Sequence, residues 1–229
     1  MNKTSLYIVL MIFSLFKTKT VSAQDWANLN RFEKENTELA APLENENRIV
    51  FMGNSITEAW ATYDSLFFKE NPYINRGISG QTTPQMLLRF KADVIDLKPK
   101  VVVLLAGTND LAENTGPTSF EAIMNNIISM VQLAKVNNIK VILASVLPAY
   151  DYPWKTGLNP NKKIPELNKR IKKYADENTI IYLDYFSAMV DDKNGLIDDY
   201  TRDGVHPNKK GYDIMKPLVQ DAITKTLKN

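Results

Sequence analysis

Five consecutive residues, Val101-Val102-Val103-Leu104-Leu105, do most to limit what this chain can fold into. Successive side chains of a strand point to opposite faces, so a strand apolar at every position must be covered on both sides. Such a run belongs to the interior of a parallel sheet packed between helices. Similar short runs are Arg48 to Met52, closed by Gly53, and Lys140 to Leu147, stopped by Pro148. Ile180 to Leu183 is a further strand, and Tyr73 to Asn75 a weaker one.

The segments between these runs carry helical spacing. Trp26, Leu29 and Phe32 recur as one face of a helix capped by Asp25 and ending near Leu39. Helices are also expected over Ile56 to Lys69, from Thr82-Thr83-Pro84 to Pro99, Ser119 to Val136, Asn161 to Tyr174 and Lys209 to Leu227. Strands that alternate with helices predict an α/β fold, with a parallel sheet of about five strands and helices on both faces. In such folds ligands gather at the carboxyl ends of the strands. The residues that follow each strand are therefore where chemistry is expected.

The first 23 residues read as a separate element. Lys3 precedes an apolar run from Leu6 to Phe16, and Val21-Ser22-Ala23 supplies the small residues of a cleavage site. This predicts a secretory signal peptide over 1–23 and a single domain over 24–229, exported to the periplasm or beyond. An uncleaved N-terminal anchor is the alternative. Cleavage would remove three lysines and no acids, so the formal charge of +2 would become −1. The basicity of the whole chain is thus no argument for a nucleic-acid partner.

Two counts exclude whole classes of chemistry. The chain has no cysteine, so it holds no disulfide framework, thiolate metal site, catalytic thiol or lipoprotein cysteine. It has one histidine, which excludes sites built on two or three imidazoles. There is no Walker loop, no G-x-G-x-x-G and no G-x-S-x-G elbow. No metal or cofactor is expected. Asp191-Asp192-Lys193-Asn194-Gly195 fails the spacing of a calcium loop and reads as a turn.

Four post-strand segments remain. They are Gly53-Asn54-Ser55, Gly77-Ile78-Ser79-Gly80, Gly107-Thr108-Asn109-Asp110 and Asp203-Gly204-Val205-His206-Pro207. Serine hydrolysis needs a nucleophile, a base, a group to orient the base, and donors for the oxyanion. Ser55 stands at a strand-to-helix turn. His206 is the one side chain whose ordinary pKa suits proton shuttling near neutrality. Asp203, three residues earlier in a turn, can reach one ring nitrogen. The Ser55 and Gly80 backbone N–H groups and the Asn109 amide can serve as oxyanion donors. Taken singly each has a bland role: Ser55 as a helix cap, Gly80 as a turn residue, Asn109-Asp110 as a self-bonded loop, Asp203-Gly204 as a turn dipeptide. Their order after successive strands carries the argument.

In that order the segments resemble the four sequence blocks of the SGNH, or GDSL-type, esterases and lipases. Gly53-Asn54-Ser55-Ile56-Thr57 is similar to the opening block and Asn75 to Thr82 to the glycine block; Gly107 to Asp110 and Asp203 to Pro207 complete the set. The resemblance implies a flavodoxin-like three-layer α/β/α fold. It also implies Ser55 as nucleophile, His206 as base, Asp203 as its orienting group, and Ser55, Gly80 and Asn109 as the oxyanion hole. Within the family it is nearest to compact acylhydrolases such as platelet-activating-factor acetylhydrolase subunits and lysophospholipase-like esterases. Asn54 departs from the family's aspartate, which removes a charge beside the nucleophile.

The substrate is read from Leu147-Pro148-Ala149-Tyr150-Asp151-Tyr152-Pro153-Trp154, which leaves the carboxyl end of a strand. Tyr150, Tyr152 and Trp154, with Asn54, are the expected pocket wall, suited to a sugar or a short acyl group. No insertion is long enough to form a lid. The expected substrate is a short acyl ester, such as acetyl, on a carbohydrate or other small alcohol. Lysophospholipase or thioesterase activity, and a noncatalytic glycan-binding module, are the alternatives.

Overall fold

The computed structural model describes residues 25–228. The export segment expected over 1–23 lies outside the described residues. Five parallel strands form the sheet: β1 (Ile49–Gly53), β2 (Tyr73–Gly77), β3 (Val101–Leu105), β4 (Lys140–Ala144) and β5 (Ile181–Leu183), in the spatial order β2-β1-β3-β4-β5. This is the flavodoxin-like order. The helices are α1 (Glu33–Glu38), α2 (Ser55–Tyr63), α3 (Ser65–Lys69), α4 (Thr83–Asp93), α5 (Thr108–Leu111), α6 (Phe120–Val136), α7 (Pro160–Glu177), α8 (Phe186–Met189) and α9 (Lys209–Lys228).

The run Val101 to Leu105 is buried at all five positions. Its period of two divides it between two cores. Val102 and Leu104 face α4, α6 and α7 through Met86, Phe90, Ile127, Ile164 and Leu167. Val101, Val103 and Leu105 face α2, α3 and α9 through Ile56, Trp60, Phe67, Met215 and Val219. The three-layer α/β/α architecture follows from that division.

Several expected boundaries move. The helix expected over Ile56 to Lys69 breaks at Asp64, whose backbone (φ −144°, ψ 74°) leaves the helix. The Asp64 carboxylate then caps α3 by accepting from the Phe67 N–H at 3.1 Å. The strand expected over Lys140 to Leu147 ends at Ala144. Its edge partner ends at Leu183, and from Val146 onward Asn168 of α7 takes both backbone bonds, at 2.8 Å each. The helix expected from Asp25 is a 3₁₀ turn, Leu29–Phe32, followed by α1. Asn28 adopts a left-handed conformation (φ 56°), which interrupts any continuous helix there. Of its apolar stripe only Phe32 is buried; Trp26 and Leu29 stay exposed. α4 stops at Asp93, and Ile95–Leu97 forms a 3₁₀ turn before Pro99. α7 starts at Pro160 and outruns Tyr174 to Glu177. No helix among the described residues is long and apolar enough to cross a membrane.

Candidate active site

The chain leaves β1 to pair β2 on one side and β3 on the other. Between the carboxyl ends of β1 and β3 the following loops diverge, and this switch point is where a crevice opens in such sheets. Ser55 follows β1 and Asn109 follows β3. Asn54, expected in the pocket wall, is buried instead and caps α2: its Oδ1 accepts from the Ile56 N–H at 3.0 Å. A neutral amide oxygen fills that role as a carboxylate would. The hydroxyl of Ser55, at the first helical position, is thereby left for another partner.

That partner is His206. Ser55 Oγ lies 2.9 Å from His206 Nε2, across 151 residues of sequence. His206 Nδ1 lies 2.7 Å from Asp203 Oδ2. With the Nδ1–H donating to the carboxylate, Nε2 is left to accept from the serine hydroxyl. The Asp203 turn holds itself in place. Its other oxygen accepts from the Val205 N–H (3.0 Å) and the His206 N–H (2.8 Å), and Thr201 Oγ1 donates to the His206 carbonyl (2.8 Å). Gly204 takes φ +81°, a conformation that L side chains rarely adopt. Partial burial pushes the Asp203 carboxyl up, but the bonds from the His206 N–H, its ring and the Val205 N–H outweigh it and hold the group below the usual carboxylate range. It therefore stays ionised beside the imidazole at neutral pH.

The candidate oxyanion donors Gly80 and Asn109 lie on two segments that are stapled together. Asn109 is buried, and its Nδ2 donates to the Gln81 carbonyl at 2.9 Å. Asn114 Nδ2 donates to the Gly80 carbonyl at 3.2 Å. Asp110 accepts from the Thr83 N–H (3.0 Å) and hydroxyl (2.5 Å), so it caps α4 from the neighbouring α5. Among the described residues neither the Ser55 nor the Gly80 N–H has a protein acceptor. Free N–H groups at a helix start favour developing negative charge.

A group that the sequence reading missed lies beneath these loops. Arg89 is fully buried. Its Nη2 donates to the Gly53 carbonyl (3.1 Å) and the Arg76 carbonyl (2.8 Å), and its Nε to Gln81 Oε1 (2.5 Å). Nη1 pairs with buried Asp93 at 2.8 Å. One planar cation thus ties the ends of β1 and β2 and the loop after Gly80. In the sequence Arg89 is one basic residue among the positions of an amphipathic helix, and nothing local marks it.

The expected aromatic wall is only partly a wall. Tyr152 is fully buried, with its hydroxyl donating to the Thr108 carbonyl at 3.0 Å, so it supports the loop from behind. Trp154 stacks on Tyr152 (centroids 5.2 Å apart, 29° between planes) and is half-exposed. Its ring lies 5.9 Å from that of His206, and its Nε1 lies 3.4 Å from Asn114 Oδ1. Tyr150 is exposed. On the other side of His206 opens a cleft of about 500 Å³, lined by Ser55, Glu58, Thr62, Ser79, Arg202 and His206 among others. Glu58 and Arg202 were not anticipated. Asp191 forms the expected turn, accepting from the Lys193 and Gly195 N–H groups. Among the described residues no three His, Cys, Asp or Glu side chains gather as metal ligands would.

Comparison with known proteins identifies the family. The model of the GDSL-like Lipase/Acylhydrolase family matches residues 51–214. A Bacteroides fragilis protein provisionally classed as an acylhydrolase is 52% identical, with a TM-score of 0.87 over 89% of this chain and 99% of that one. A GDSL-like lipase from Bacteroides thetaiotaomicron is also 52% identical, with a TM-score of 0.85 over 87% and 98%. The acetylxylan esterase of Xylanibacter ruminicola is 25% identical over 227 residues, 81% of this chain and 45% of that protein. The chain spans less than half the length of the curated relatives it matches.

Proposed function

Since the chain belongs to the GDSL-like lipase/acylhydrolase family, we propose that it is a carboxylic ester hydrolase in which Ser55 is the nucleophile, His206 the general base and Asp203 the group that orients His206. The observation that carries this reading is the continuous chain from Ser55 Oγ through the imidazole to Asp203, with links of 2.9 and 2.7 Å. Ser55 attacks the ester carbonyl as Nε2 takes its proton. The tetrahedral oxyanion is met by the Ser55 and Gly80 N–H groups and the second proton of the Asn109 amide. His206 then protonates the leaving alcohol, giving an acyl-enzyme, and repeats the cycle with water. Asp203, kept ionised, stabilises the imidazolium that forms in each half.

We further propose a short acyl group, such as acetyl, on a carbohydrate or similar alcohol. The relative named acetylxylan esterase supports this. The apolar run Leu6 to Phe16 and the small residues Val21 to Ala23 support export. Fluorophosphonate labelling of the purified protein tests the nucleophile: the adduct belongs on Ser55 and is lost in His206→Gln. A series of p-nitrophenyl esters tests the acyl group, with turnover highest at two carbons; a maximum at eight or more overturns that part.

A further inference from the structure

We propose that the cleft beside Ser55 is a subsite for an anionic group carried by the leaving alcohol, with Arg202 as its counter-ion. This rests on the catalytic roles proposed above, because they fix which side of the nucleophile is which. A base that returns its proton to the leaving oxygen must stand beside that oxygen. The leaving group therefore lies on the His206 side of Ser55. The cleft is walled by Asp203, His206 and Pro207, whereas Gly80 and Asn109 are not part of its lining. It is thus the space that the alcohol enters.

One wall is a single face of α2. Ser55, Glu58, Ala59 and Thr62 recur at helical spacing along it. Seven rises of 1.5 Å from Ser55 to Thr62 make that wall about 10 Å long. Two charged groups besides the Asp203–His206 pair line it, and they differ in one respect. Glu58 is already matched: Arg31 Nη2 approaches it at 3.6 Å, and Ser79 donates to it through its N–H (2.8 Å) and its hydroxyl. Arg202 is not. Its guanidinium lies 5.8 Å from the ring centre of Tyr63, at the far end of the same wall. Among the described residues it has no carboxylate within salt-bridge distance and no hydrogen-bond acceptor. Contact with an aromatic face orients the planar fork without using its N–H donors. An oriented, unpaired guanidinium is a receptor for a carboxylate or a phosphate, both of which it can meet with two parallel bonds. Its place beyond Ser55 favours an anion separated from the ester by several bonds.

The test uses acetyl esters of ω-hydroxyalkanoic acids of increasing chain length. Each is compared with the carboxamide of the same length, and a parallel set ends in a phosphate monoester. The readout is the ratio of kcat/KM for the anionic ester to that for the neutral one. In the wild type this ratio should rise to about fivefold at the length that spans the cleft and should fall with added salt. Arg202→Gln should bring it to about one, and Arg202→Lys should restore part of it. The terminus giving the larger ratio identifies the anion. A wild-type ratio at or below one at every length overturns the proposal, as does a ratio unchanged in Arg202→Gln. Ser55→Ala provides a readout independent of turnover: by calorimetry it should bind the ω-hydroxy acid more tightly than its amide, and lose that difference when Arg202→Gln is added. Failure of the fluorophosphonate to label Ser55, with that binding difference intact, would overturn the catalytic roles and leave the anion site standing.

Discussion

Asn109 Nδ2 lies 2.9 Å from the carbonyl oxygen of Gln81, so an amide with two protons gives one to the neighbouring loop and keeps one for the site. That division makes the side chain a strut and a donor at once. Asn109→Ala should lower kcat for p-nitrophenyl acetate by about 100- to 1000-fold, the usual loss for one oxyanion donor. KM should change little. Asn109→Asp should be at least as damaging, because a carboxylate beside the oxyanion repels it. Steady-state kinetics on both variants decide the point, and a loss under tenfold would remove Asn109 from the oxyanion hole.

Asp110 predicts a pH dependence of stability. Burial raises its carboxyl from 3.8 to about 6, although bonds from the Thr83 hydroxyl and N–H pull the other way. Between those two values the folded protein keeps a proton that the unfolded chain has released. The contribution of this group to stability is therefore full below pH 4 and is withdrawn as pH rises to 6. A shift of about two units corresponds to a change on the order of 3 kcal/mol. Urea unfolding of the wild type and Asp110→Asn should show the difference between them moving against the wild type from pH 4 to pH 6. A flat difference would mean that Asp110 titrates like an exposed aspartate.

Arg89→Met should destabilise the fold by about 3–5 kcal/mol, because Asp93 would remain buried and charged without its partner. Replacing both, as Arg89→Met with Asp93→Asn, should recover part of the loss. The double variant should nonetheless stay well below wild-type turnover, since Gly53, Arg76 and Gln81 lose their common anchor. Full recovery of activity in the double variant would show that the anchor is dispensable.

Gly77→Ala should disturb both fold and activity. A Cβ there would stand 2.1 Å from the Glu58 nitrogen and 2.7 Å from the Thr57 carbonyl carbon, and both are backbone atoms of α2. The helix that begins at Ser55 would have to move off the sheet. Overpacking of this kind costs about 1–3 kcal/mol or more. Thermal melting should shift down by several degrees, and esterase turnover should fall even at temperatures where the variant is folded.

The sheet was legible because its signal is local and redundant. Val101 to Leu105 can hardly be anything but a covered strand, and the Ser55 and Asn109 segments each follow a run of that kind. Boundaries were less legible where a partner distant in sequence decides them. Asn168 ends β4 by taking over the Val146 backbone, and no residue near Val146 announces it. Asp64 breaks the expected helix while Lys216, 152 residues away, pairs with its carboxylate at 2.7 Å. The same limit applies at the site. Ser55, Asp203 and His206 stand in recognisable local patterns. Tyr152 looks like a pocket aromatic until the Thr108 carbonyl claims its hydroxyl. Glu58, Arg89 and Arg202 acquire roles only when three loops meet.

The anchoring of those loops by Arg89 separates two kinds of change. The end of β1 that precedes Ser55, the end of β2 and Gln81 hang from one buried cation. The outer face of α2 and Arg202 lie outside that framework. Substitutions along the outer face can therefore redirect which alcohol is accepted while the spacing of serine, imidazole and oxyanion donors stays fixed. In engineering terms the specificity module can be swapped and the chemical module left alone, so a library aimed at new esters belongs at the rim and not beneath it.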